Sequence, residues 1–476
     1  MKVREIQELS EWLQTDYHAK RVSRQNDVDE FYLDTFTVPH VKAPYSVVRL
    51  GKGAKLVDVP AAHIVTTHPQ VYVEAIAPDN TALERAKKRG SLLNHWVDYL
   101  TFQNPHPFQE GIKKTLRRGE QWTHVVNNPN FQNIPFENDI PILFTTPDPL
   151  VVFGSPHERN GIPDYVVVSY KRYYRAVQNK YEHWTNPKHR SDSDKYANWL
   201  EYWDKDVRYF ECDGQPVLTM AEEFDWGGVE PNILGVCPWV HSYSGYGDKT
   251  ASGDPADLAV SRIWNERGKI MELTVARSYL ASQLKIHTVG RVKIKAEALE
   301  FNEVAESLKW DLDVGGKNVE PFGVVAQEYT GAEPSPALYN YIYLLESDIE
   351  KITPPVMEGV GTEGSGRLAD IYTKHALAQY ETVLRNSATN WSTSLGLAQR
   401  ILKNKDLKLL PVSVMASTLD KGRKVGKEIK VEDSDIDSFR CELKLKAADP
   451  IEDKAQAQIG TNWQSAGVID WETNLT

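Results

Sequence analysis

Cysteine is scarce in this chain: three residues in 476, Cys212, Cys237 and Cys441, far apart and without a C-x-x-C spacing. That excludes a disulfide framework and a thiolate zinc site, and leaves buried free thiols as the expectation. Long apolar runs are missing too. No window comes near the roughly 18 uncharged apolar residues of a membrane-spanning helix. The opening MKVREIQELSEWLQ interleaves charges where a signal peptide would carry an unbroken apolar stretch. The expectation is a soluble protein with no membrane contact, retained where it is made. Positive charge is also short: 55 Lys and Arg stand against 66 Asp and Glu, a net charge of −11 and the wrong sign for a broad phosphate-gripping surface.

What is plentiful is apolar and aromatic. The 41% of apolar residues can bury several cores, and 13 Trp with 22 Tyr would suit a carbohydrate-handling enzyme or extensive subunit interfaces. Amphipathic periodicity predicts helices over Arg4–Asp16 and over Thr81–Phe102, the second carrying Leu83, Leu92, Leu93, Trp96 and Leu100 and ending near Asn104-Pro105. From Trp122 to about Val240 the texture turns to short strand-like runs, WTHVV, PILFTTP, LVVF and YVVVSYKRYY, broken by Pro, Asn and Gly clusters. This is the β part of an α+β fold, with Asn186–Lys195 as an exposed, solvated loop.

Asp254-Pro255 then supplies an N-cap and a first-turn proline for a helix expected to run unbroken to about residue 283, roughly 43 Å at the α-helical rise. Its many charges, from Arg262 to Arg277, mean that it projects or packs against copies of itself. Lys285–Lys295 alternates like a basic strand, 297–308 reads as a short acidic helix, and Asn318–Tyr329 as a second strand. Ser335-Pro336 opens a helix that Pro354-Pro355 stops. The excursion is thus a small β-α-β element hung between two helices.

After it, Gly359-Val-Gly361-Thr-Glu-Gly364 matches G-x-G-x-x-G formally. A dinucleotide loop needs a strand before the first glycine and a second strand ending in an acid about 20 residues on. Here PALYNYIYLLESDIEKI before it is helical, and the segment after it stays helical to about Lys403. The stretch reads instead as a flexible link between helices. The following helix carries Leu368, Tyr372, Ala376, Tyr380, Val383, Ser387, Trp391, Leu395, Ala398 and Leu402 along one stripe and would span roughly 57 Å. Phe439–Lys446 resembles a strand, and Asp449-Pro450 with Glu452 a further helix start that Gly467 closes.

This order resembles the portal proteins of tailed bacteriophages, from about Gly119 to the end of the chain. RRGEQWTHVV, DLAVSRIWNERGKIMELTVARSYLASQ, SGRLADIYTKHALAQYETVLRNSA and DPIEDKAQAQIGTNWQSAGVIDWET carry the resemblance. It implies an α+β portal-type subunit: an N-terminal wing over 1–250, a first stem helix over 251–284, a clip over 285–334 and a second stem helix over 335–353. A tunnel loop over 354–366, a long kinked wing helix with wing strands over 367–440, and the start of a crown over 441–476 would follow. Asp470-Trp471-Glu472-Thr473 looks like the start of another helix, so the crown is expected to be short or absent.

The resemblance further implies a homo-oligomeric ring, usually a dodecamer, at one capsid vertex of the virion, assembled in the host cytoplasm. Double-stranded DNA would pass through its channel in packaging and ejection. The terminase motor would dock at the clip, and adaptor, tail and capsid proteins would be further partners. Lys285, Arg291, Lys293 and Lys295 are the candidate partner-binding residues of the clip. Val356, Met357, Glu358, Gly359, Gly361, Glu363 and Gly364 are the candidate channel residues of the loop. Net acidity suits such a conduit, because each phosphate contact adds affinity and friction.

The rival classes are a glycoside hydrolase and another capsid or connector protein. A glycosidase needs two carboxylates about 5 to 10 Å apart in a cleft, and Glu222, Glu223 and Asp225 crowd one short stretch instead. His287 and His375 have no partners at ligand spacing. No enzyme activity, metal or cofactor is therefore expected. Replacing Gly361 and Gly364 by valine should leave folding and ring formation nearly normal while impairing DNA packaging or retention. Packaging assays run beside nucleotide-binding measurements check this: nucleotide affinity abolished by the valines, or normal packaging with normal retention, would refute it.

Overall fold

The structure, a computed structural model, describes residues 2–39, 47–64, 69–131, 139–181, 196–217, 228–288, 291–295, 325–329, 334–351, 378–420 and 423–445. The chain forms two compact units. The first comprises Met1–Asp29, Lys55–Asn265 and Pro354–Thr476, the second Glu30–Ala54 and Glu266–Thr353. These units divide the chain along other lines than the wing, stem and clip boundaries given above. Helix and strand are mixed, and every strand pair among the described residues is antiparallel, as an α+β fold requires.

In the first unit a three-stranded sheet sets Glu120–Asn127 between Trp239–Tyr243 and Ile142–Thr145. Helix Glu381–Leu402 packs on it. Its predicted stripe is the buried one: Tyr380, Val383, Ser387, Trp391, Leu395, Ala398 and Leu402 are all excluded from solvent. Leu368, Tyr372 and Ala376, like all of 352–377, lie outside the described residues. The helix is not continuous before Glu381, since a turn at Gln379–Tyr380 interrupts it. Polar residues on its sheet side are satisfied in pairs: Thr123 Oγ1 donates to Asn390 Oδ1 at 2.6 Å and Ser387 Oγ to Gln121 Oε1 at 2.9 Å.

A six-stranded sheet built on Tyr165–Tyr173 and Tyr196–Asp204 lies in the same unit. Helix Asn80–Thr101 starts where Asp79 accepts from Ala82 N at 2.8 Å. It buries Leu92, Leu93, Trp96 and Leu100 but leaves Leu83 45% exposed, because Leu83 falls off the buried face. The N-terminal helix covers Val3–Trp12 and passes into a π-turn at Leu13–Tyr17. The expected strand near residue 440 is Glu442–Lys444, paired with Gln70–Tyr72. Strands are also expected within 367–440, and Val412–Asp420 pairs there with Arg423–Val431.

Two expectations need correction. Asp254 and Pro255 do open a helix, with Ala256 N donating to Asp254 Oδ1 at 2.9 Å, but it ends at Leu258. The cause is a close backbone crossing. Gly119 ends helix Pro107–Arg118 at φ +83°, and a Cβ there would lie 2.4 Å from the carbonyl carbon of Ala259 and 2.6 Å from that of Val260. Ser244 Oγ donates to Val260 O at 2.7 Å, and Ser261 Oγ then accepts from Trp264 N at 2.9 Å, capping a new helix, Arg262–Thr288. That helix also runs further than expected. Lys285 therefore stands exposed in its last turns rather than on the strand, since nothing in KIHT breaks a helix.

In the second unit, strand Arg291–Lys295 pairs with Val325–Tyr329, Arg291 opposite Tyr329 and Lys295 opposite Val325. Segment 297–308 lies outside the described residues. The return helix is Pro336–Glu350, capped by Ser335, and Arg277 Nη2 meets Glu346 Oε1 at 2.6 Å. Both partners sit at comparable distances from the intervening hairpin, as in an antiparallel helix pair. Phe31, Phe36, Ile270, Leu273, Leu280, Ile342 and Ile349 of this unit are buried, with Phe31 and Phe36 stacked at 4.4 Å.

Trp391 is wholly buried against Phe108, ring centroids 4.5 Å apart. Trp391→Ala should cost about 3–5 kcal/mol in urea unfolding, whereas Thr389→Ala on the exposed side of the same helix should stay within about 0.5 kcal/mol.

Candidate functional site

Strand alternation builds the site. On EQWTHVV it puts Glu120, Trp122 and His124 on one face, and on WVHSY it puts Trp239, His241 and Tyr243 there too. The antiparallel register sets Tyr243 opposite Glu120, His241 opposite Trp122 and Trp239 opposite His124. Trp122 stacks on His241 and His124 on Trp239, both at 4.2 Å between ring centroids.

Helix Ala19–Tyr32 brings Arg21 and Gln25 to this face. Arg21 is completely buried. It forms an ion pair with Glu120 through Nη1, which also donates to Pro149 O at 2.8 Å, while Nη2 donates to Val152 O at 2.8 Å and Nε to His18 Nδ1 at 3.0 Å. With Nδ1 accepting, His18 carries its proton on Nε2 and donates to Gly154 O at 2.9 Å. Gln25 Nε2 donates to Glu120 Oε1 at 2.8 Å. His241 completes the chain: Nε2 donates to Glu120 Oε2 at 3.0 Å and Nδ1 to Glu158 Oε2 at 2.9 Å.

Protonation follows from these partners. Burial alone would push the His241 imidazole down, but hydrogen bonds to Glu120 and Glu158 and their charges raise its pKa to about 9. Burial alone would raise Glu120, but Arg21 and then His241 hold it at about 2. His124, on the same face without a carboxylate, is pushed down to about 3 by burial, and His18 likewise by burial and then Arg21. Near neutral pH Glu120 is therefore ionised and His241 charged. The chain is a lock of paired charges.

Over the lock lies a cavity of about 470 Å³, lined by Tyr17, Trp122, Glu158, His241, Tyr243 and Asp254 among others. Comparison with protein-family models finds none that matches the chain, and a search of the curated proteins finds no match either. Function must therefore be read from the residues themselves.

Of the clip candidates, Arg291, Lys293 and Lys295 take alternate positions on one strand, while Lys285 belongs to the preceding helix. The loop candidates Val356, Met357, Glu358, Gly359, Gly361, Glu363 and Gly364 lie outside the described residues, as do Glu222, Glu223, Asp225, His375, Asn186–Lys195 and everything beyond residue 445. His287 falls in the Arg262–Thr288 helix. All three cysteines are free, with Cys212 and Cys237 buried, and burial pushes the Cys212 thiol up to about 12. Among the described residues no group of three or more His, Cys, Asp or Glu could hold a metal ion, and no helix is long and apolar enough to cross a membrane.

The lock was missed in the sequence. Its one local signal was the pair of strands bearing Trp and His at alternate positions. Arg21 and Glu158 carry no signal of their own.

A histidine whose folded pKa is raised stabilises fully below its unfolded value, near 6.5, and loses that contribution as pH climbs through about 9. Glu120, with its folded pKa lowered, stabilises fully above about 4.5 and loses its contribution as pH falls through about 2. The buried neutral His18 and His124 act in the opposite sense, since the unfolded chain protonates them below about 6.5 and the folded one does not until about 3. Urea unfolding should therefore show stability greatest near pH 6.5, falling on the acid side and declining on the alkaline side by on the order of 3 kcal/mol. His241→Gln should flatten the alkaline limb, and an unchanged limb would contradict the assignment.

Proposed function

We propose that this chain is a portal-type protein, a non-enzymatic subunit of a homo-oligomeric ring through which double-stranded DNA passes. The observation that carries the reading is the surface of the return helix Pro336–Glu350. It buries only Ile342 and Ile349, a narrow seam, and exposes Tyr339, Tyr341, Tyr343 and Leu344, with Tyr343 71% and Leu344 61% accessible. A helix covered along one seam that also exposes three tyrosines and a leucine over its first half is built for further neighbours. Tyrosine is the residue type such contacts favour.

A second copy of the chain is the natural occupant. In a closed ring each subunit meets a neighbour on two sides, so a helix offering apolar surface on more than one side is covered without leaving an open end. The helix–hairpin–helix order around Arg291–Lys295 and the net charge of −11 support the same reading, the latter by limiting adhesion to DNA. Arg291, Lys293 and Lys295 would then be the docking charges for the packaging motor and later for adaptor or tail proteins, at the virion's portal vertex.

Native mass spectrometry and rotational-symmetry counts on negatively stained particles should give a closed ring, expected at twelve copies of a 54.0 kDa chain. Tyr341→Ser with Tyr343→Ser should break the ring while far-UV circular dichroism stays unchanged. A wild-type monomer at micromolar concentration, or rings that tolerate both serines, would overturn the proposal.

A further inference from the structure

The cavity above the ion chain has walls whose charges are nearly all committed. Glu120 gives Oε1 to Arg21 and Gln25 and Oε2 to His241. Both ring nitrogens of His241 are taken by carboxylates. Asp254 meets Lys20 through Oδ2 at 2.9 Å and Ala256 N through Oδ1. Glu158 differs: Oε2 serves His241, its side chain is 37% exposed, and Oε1 has no partner among the described residues. The hydroxyls of Tyr17 and Tyr243, which line the same cavity, likewise have no hydrogen-bond partner among the described residues. Tyr243 packs edge-on against His241, the partner of Glu158, with ring centroids 4.3 Å apart, and Tyr17 lines the same cavity. Lys249 stands exposed in the lining.

One uncommitted carboxylate oxygen and two uncommitted phenol oxygens lining one cavity offer acceptors around a single negative charge. A planar group with several N–H donors in a fixed fork uses all three at once, whereas an ammonium is a compact point charge. A volume of about 470 Å³ admits a long side chain with flanking backbone. The chain's net charge of −11 favours approach of a cationic partner.

We infer that this cavity is a receptor for the guanidinium group of an arginine presented on a peptide, with Glu158 as its counter-ion and Tyr17 and Tyr243 as acceptors. The site belongs to the first unit and does not depend on ring formation.

The test is isothermal titration of the full chain with N-acetyl-arginine amide, N-acetyl-lysine amide and the neutral isostere N-acetyl-citrulline amide. Saturable arginine-amide binding is expected, with citrulline amide and lysine amide each weaker by about tenfold or more. Glu158→Gln should weaken arginine-amide binding by about tenfold or more. Tyr17→Phe, which removes one acceptor and leaves the ion chain intact, should weaken it a few-fold. Absence of saturable arginine-amide binding, equal binding of citrulline amide, or binding untouched by both substitutions overturns the receptor. Equal binding of lysine amide overturns the guanidinium assignment.

Discussion

The pairing of Arg21 with Glu120, extended through His241 to Glu158, is the interaction around which the first unit is arranged. It ties a helix near the start of the chain to two adjacent strands and to the connection preceding the Tyr165 strand. Taking charges out of water costs several kcal/mol per ion, and only mutual pairing with every lone pair and N–H used offsets it. Here the offset is close to complete. Arg21 spends its remaining donors on backbone carbonyls and His18, and Glu120 takes Gln25 as well. Such a lattice adds little net stability over an apolar core of the same shape but penalises any misregistered one, since each displaced member leaves a buried ion alone.

Its neighbours show how position decides chemistry. His124 and His241 lie on one face of one sheet and each stacks on a tryptophan. One is held neutral and the other charged, and the difference is the pair of carboxylates that reach only His241. Gly119, immediately before Glu120, explains a second dependence. Its left-handed backbone lets the chain turn from helix into strand while Ala259 and Val260 pass in contact. The carboxylate is thus placed by a turn that in turn breaks another helix.

The second unit works by a different principle. Its helices carry few buried apolar residues, linked by ion pairs such as Arg277 with Glu346, and leave a band of tyrosines in water. Surface of that kind is expensive to expose and cheap to cover with another copy of itself. The proposed ring function rests on this leftover area and on element order, whereas the arginine receptor rests on unspent hydrogen-bond capacity in the other unit. The two are independent in residues and in physical cause.

The amino-acid sequence by itself determined what local forces decide. Asp254-Pro255 and Ser335-Pro336 mark helix starts because a cap needs only its own next few amides. The stripe from Tyr380 to Leu402 marked the buried face because helical period is a property of one segment. Strand runs such as WTHVV and YVVVSYKRYY were legible for the same reason. Tertiary structure alone decided the break at Ala259–Ser261, which follows from contact with Gly119, and the membership of the lock. Glu120 lies 99 residues from Arg21 and 121 from His241, and Glu158 lies 83 from His241. No pattern in the intervening sequence records those separations, because a charge in a chain is ordinary until folding removes the water around it.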